Sequence, residues 1–120
     1  MLTTPYTDKF HADTIANHGA TVDLTKHDLR EPEKRYYVGN GKRSWVHKVA
    51  VEKFTPTYLA MLVAVAKAEG RYTLGTWVQN GVVYVEPTLT YNGKASAELV
   101  TKFLGEQAFF DSQTRETIYV

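Results

Sequence analysis

The side chains best suited to chemistry near neutral pH are the four histidines, His11, His18, His27 and His47. Their spacing makes neither a His-x-x-x-His pair nor the His-Glu-x-x-His zinc motif. His11 and His18 stand seven apart and could share a helix face, but exposed or turn histidines are the expected account, and no metal site is assigned. A serine nucleophile needs a base and an orienting acid. None of Ser44, Ser96 and Ser112 lies in a Gly-x-Ser-x-Gly elbow, and Ser44 and His47 fall on opposite faces of a strand. Asp23, Asp28, Glu31 and Glu33 could do acid–base work if one were desolvated. Lys26, Arg30, Lys34 and Arg35 are interspersed with them, so surface ion pairing is expected instead. Gly39-Asn40-Gly41-Lys42 has the look of a phosphate loop without the P-loop pattern, and hairpin geometry accounts for its glycines. No catalytic residue and no cofactor is assigned. An enzyme working through His47 or the carboxylates would need a concave site with shifted ionisation, and the reading leans away from one.

A binding surface is better supported. Tyr36, Tyr37 and Trp45 lie beside Arg35, Lys42 and Arg43 in one predicted hairpin. Aromatic faces stack on bases while cations meet phosphates. The candidate binding residues are therefore Arg35, Tyr37, Lys42, Arg43, Trp45 and His47. The competing account is that the rings pack the sheet and the cations keep the hairpin soluble. Trp77 and Tyr84 flank a second turn and are expected in the core. The net charge of +1 favours neither a nucleic-acid binder nor an acidic mimic. Residues 26–53 hold eight Lys/Arg against four Asp/Glu, a mild polarity that could steer an anionic partner.

These residues must be positioned by a small body. At 120 residues, 43% hydrophobic and 22% charged, the chain is read as one domain over 1–120. Cysteine is absent, which removes disulfides, thiolate zinc and cysteine nucleophiles. No apolar run approaches the roughly 20 residues that span a bilayer. Met1 to Phe10 lacks the pattern of a secretory signal, so no membrane association and a cytoplasmic location are expected.

Asp8 could cap a weakly ordered helix within residues 1–19, running to about Asn17 with Phe10 and Ile15 inward and Gly19 as its stop. Ala20 to Leu24 alternates as a short strand, and Thr25 to Lys34 reads as a loop. Arg35 to Val51 reads as a hairpin turning at Asn40-Gly41. Thr55-Pro56 opens the strongest helix, with Leu59, Leu62, Val63 and Ala66 at helical spacing and Gly70 at its end. Tyr72 to Val85 forms a second hairpin at Asn80-Gly81, and Pro87 is expected to end its ladder. A helix from Ala95 to about Glu106 places Ala97, Val100, Phe103 and Leu104 on one side; strands at 108–110 and 117–120 follow. The expected fold is α+β: a two-layer domain, its mostly antiparallel sheet built from hairpins, with helices packed on one face and a hairpin-helix-hairpin-helix-strand core over 35–120.

Phe54-Thr55-Pro56 before a helix, Leu74-Gly75-Thr76-Trp77-Val78, Asn80-Gly81 leading to Val82-Val83-Tyr84-Val85, and Gln107-Ala108-Phe109-Phe110-Asp111 with Glu116-Thr117-Ile118-Tyr119-Val120 carry a resemblance. Over roughly Arg35 to Val120 the chain resembles short hypothetical proteins of bacteria, notably actinobacteria, and of their phages and mobile elements. The group has no established activity and supplies no catalytic residues. The resemblance implies an accessory protein of a phage or mobile element. Such a protein would bind a host or phage protein, in counter-defence or host takeover. The alternative is a nucleic-acid-binding module using the first hairpin.

Overall fold

A computed structural model describes residues 3–41 and 46–120. In chain order the elements are α1 (Pro5–Asn17), β1 (Gly19–Asp23), β2 (Tyr36–Gly39), β3 (His47–Ala50), a 3-10 turn (Val51–Lys53), α2 (Pro56–Ala68), β4 (Thr73–Gln79), β5 (Val82–Tyr91), α3 (Lys94–Phe103), β6 (Ala108–Asp111) and β7 (Glu116–Tyr119). All strand pairs are antiparallel, in the order β1-β4-β5-β2-β6-β7 with β3 also on β5. The fold is α+β, with helices packed against the sheet.

The helices begin where side chains satisfy their first N–H groups. Thr55 Oγ1 accepts the Tyr58 N–H at 3.1 Å, and Pro56 takes the first position, where no N–H is needed. Leu59, Leu62, Val63 and Ala66 are buried as their spacing requires. In α1 the cap is Thr4, not Asp8, which lies in the first turn. Its stop is His18, which adopts φ 60°. Gly19 instead opens β1 against β4, where a Cβ would stand 2.8 Å from the Thr76 carbonyl oxygen. Phe10 points inward as expected, but Ile15 is 42% exposed. In α3, Ala97 and Leu104 are buried, whereas Phe103 turns outward and is 70% exposed.

β5 organises the sheet. One of its edges pairs with β4, from Gln79↔Val82 to Leu74↔Pro87. The other carries two strands end to end: β3, from Ala50↔Val82 to His47↔Val85, then β2, from Gly39↔Thr88 to Tyr36↔Tyr91. Both run antiparallel to β5 and so in the same direction. The chain does not reverse between them, and residues 35–51 are not a hairpin. Neither Gly39, Asn40 nor Gly41 has a positive φ, while Asn80 (53°) and Gly81 (75°) do and make a true reversal. Pro87 does not end the ladder either. It falls where β3 has finished and β2 has not begun, so its missing N–H interrupts no pair on that edge, and its carbonyl accepts the Asn40 N–H at 2.9 Å.

Alternation along β5 separates two faces. Val83 and Val85 enter a core with Phe10, Leu29, Leu59, Leu62 and Leu74, beneath α1 and α2. Leu89 and Tyr91 pack on a second core of Tyr36, Val38, Ala97, Leu104 and Phe109, beneath α3. These odd-numbered residues share one face, which puts the helices on one side of the sheet and leaves the other free of them. Among the described residues, no helix is long and apolar enough to cross a membrane.

Candidate functional site

The residues expected to bind are divided by the fold. Arg35 forks onto Asp111, with Nε 2.8 Å from Oδ1 and a terminal guanidinium nitrogen 2.7 Å from Oδ2. Asp111 is buried and also accepts the Gln113 N–H at 3.0 Å. These donors, Arg35 foremost, hold its pKa well below the usual carboxylate range. Tyr37 is 4% exposed, packs beside Phe110, and donates its hydroxyl to the Pro32 carbonyl at 3.2 Å. Burial pushes its phenol pKa up. Both side chains are thus engaged in holding β2 to β6 and to the loop that precedes it. Lys42, Arg43 and Trp45 lie outside the described residues. His47 is half-buried and opposite Val85, on the helix-covered side.

The other candidates are structural. His11 Nε2 meets the Phe54 carbonyl at 2.7 Å and stacks on the Phe54 ring. His27 meets the edge of Tyr6. Among the loop carboxylates, Asp28 pairs with Arg30, Glu31 with Arg115, and Asp23 caps Thr25.

The helix-free face presents what the sequence did not single out. Register sets Lys48 opposite Tyr84, and Tyr84 opposite Trp77. The Trp77 and Tyr84 rings lie 5.5 Å apart, and Lys48 Nζ lies 5.7 Å from the Tyr84 ring centre. Trp77, expected in the core, is 44% exposed. Gly19, beside it on β1, has no side chain to cover it. The row is therefore an aromatic surface, its two rings inclined by 36°, with a cation at one end.

Two residues along β5 from Tyr84, on the same face, stands Glu86. Its carboxylate lies against Gly39 and Gly41, where a Cβ on either would collide with it. The Gly41 N–H donates to it. Burial, reinforced by the charge of Glu106, pushes its pKa up to about 7. Among the described residues, Asn40 Oδ1 and Glu106 Oε1 are buried without a hydrogen-bond partner. Glu86 can thus exchange a proton near neutrality beside the aromatic row. Alternation of Trp77 with Thr76 and Val78, and of Tyr84 with Val83 and Val85, was the available signal for the row; a lone glutamate in a strand gave none.

Two small cavities are lined by described residues. One of about 300 Å³ lies between α1 and residues 28–31; another of about 290 Å³, on the helix-free side, is lined by Lys26, Lys34, Tyr72 and Thr90 among others. Both sit at the bottom of the range for small-molecule pockets, roughly 300–1,000 Å³. Comparison with protein-family models, curated proteins and solved structures finds no match to this chain.

Proposed function

We propose that this chain is an accessory binding module that holds a partner protein, of a host or of its phage, on the helix-free sheet face, with Trp77 and Tyr84 as anchors. The observation that carries the reading is the cross-strand ring pair at 5.5 Å with Trp77 44% exposed. Tryptophan and tyrosine dominate binding hot spots because they bury large rigid areas at small entropic cost. A second reading, binding of a single-stranded nucleic acid, is favoured by Lys48 beside Tyr84, since stacked rings and a cation together suit bases and phosphates.

A photo-crosslinking residue at Gln79, on the exposed end of β4, tests both. Crosslinked in cells, it should yield a protease-sensitive adduct that Trp77→Ala and Tyr84→Ala each reduce several-fold. A nuclease-sensitive adduct whose yield falls steeply with salt selects the second reading. An adduct unchanged by both substitutions overturns the surface altogether.

A further inference from the structure

Among the described residues β1 and β7 end the sheet and β3 pairs on one side only; the two end strands are treated differently. Beside β1 the chain folds back: the Asp23 N–H donates to the Arg30 carbonyl at 2.8 Å, and residues 28–31 line a cavity with Ala20, Thr21 and Val22. β7 pairs with β6 and with no other strand among the described residues. It carries no proline or lysine; its four residues include one charged side chain, Glu116, at the end by the turn, and Tyr119 is 75% exposed.

Hydrogen-bond alternation fixes which groups of β7 face outward. The Val120 N–H donates inward, to the Gln107 carbonyl at 3.0 Å. In an antiparallel ladder the bonded residues alternate, so Ile118 and Glu116 also bond inward, to Phe109 and Asp111. The N–H and C=O groups of Thr117 and Tyr119 therefore point away from the sheet.

We propose that β7 pairs antiparallel with β7 of a second copy of this chain, about a two-fold axis at Ile118. The argument for a second copy is self-complementarity. With the axis at Ile118, Thr117 stands opposite Tyr119 of the other copy in both directions, and every outward group of both residues finds a partner. Glu116 faces Val120 of the other copy. Ile118, which packs on the core beneath α3, meets its own copy on the same face, so the two cores become neighbours. An axis one residue earlier would instead oppose Tyr119 to Arg115, whose N–H is engaged with the Asp111 carbonyl and whose φ is 62°. Two-fold dimers are the commonest closed assembly, and an isologous edge satisfies both copies at once.

The full chain tests this in two ways. Thr117→Pro removes an outward N–H and no inward bond, so it should keep the circular dichroism of the wild type while shifting sedimentation from dimer to monomer. Ile118→Cys introduces the chain's one cysteine. Facing residues of a non-bonded antiparallel pair stand about 4.5 Å apart between Cα atoms, within disulfide reach. Mild oxidation should therefore convert most of this variant to a covalent dimer, and Glu116→Cys only a small fraction. A wild type that sediments as a monomer at high concentration overturns the proposal. So does equal crosslinking at 116 and 118, or a Thr117→Pro dimer. A monomer that captures an added extended peptide at β7 would replace the second copy with a foreign strand.

Discussion

Arg35 and Asp111 are joined by two parallel hydrogen bonds, of 2.8 and 2.7 Å, across the pair that links β2 to β6. Asp111 is 3% exposed, so removing its partner strands a buried charge. Arg35→Ala should lower the melting temperature much more than Lys9→Ala, whose exposed partner is Asp13. The folded Asp111 ionises well below its ordinary 3.8. Its stabilisation is therefore complete above that value and is lost as pH falls through the lower, folded one. Asp111→Asn should flatten the acid limb of stability measured between pH 5 and 2.

Glu86 has the opposite sign. Its folded pKa of about 7 lies above the ordinary 4.5, so the folded state binds the extra proton between those values. Stability is highest below the lower value and falls as pH rises through the higher. Glu86→Gln should be nearly neutral at pH 4 and stabilise by up to roughly 3 kcal/mol at pH 8, from the size of the shift. Urea unfolding at the two pH values measures this.

Gly19 and Gly39 lack side chains for different reasons, and alanine should distinguish them. At position 19 the Cβ meets the Thr76 backbone, 2.8 Å from its oxygen, and the strand pair must move. Gly19→Ala should destabilise by about 1–3 kcal/mol. At position 39 the obstacle is the far end of the Glu86 side chain, which can swing away. Gly39→Ala should be milder, and should return the Glu86 pKa toward its ordinary value in an NMR titration.

Thr14 Oγ1 donates to the Phe10 carbonyl at 2.8 Å and lies 2.6 Å from Thr76 Oγ1. The two hydroxyls thus share a hydrogen bond across the α1–β4 interface, and Thr76 Oγ1 also lies 3.3 Å from the Ala20 carbonyl oxygen. Thr76→Val should destabilise by about 1 kcal/mol, and a double-mutant cycle with Thr14→Val should show coupling of at least about 0.5 kcal/mol.

What could be seen in the sequence was local. Thr55-Pro56 specifies the start of α2 through its own hydroxyl and ring, and Asn80-Gly81 closes a hairpin whose two strands are immediate neighbours. Asn40-Gly41 offers the same dipeptide, yet its neighbours pair with a strand some fifty residues later in the chain, and no local preference reveals that. Pro87 leaves the ladder intact because the interruption it makes coincides with a change of partner. His18 in place of Gly19 shows a histidine accepting the left-handed region when the following residue is needed for close approach. Half of the candidate site was equally hidden. Arg35 and Tyr37 hold β2 to its neighbours, while Lys48 joins Trp77 and Tyr84 only because β3 aligns on β5.

The ten residues of β5 border both apolar clusters. Neither half of the molecule can therefore melt while the other persists, for each would have to tear the same backbone from its neighbours. Heat or denaturant should undo the helices over both halves in one cooperative step, and a cut between Glu86 and Thr88 should abolish the two together.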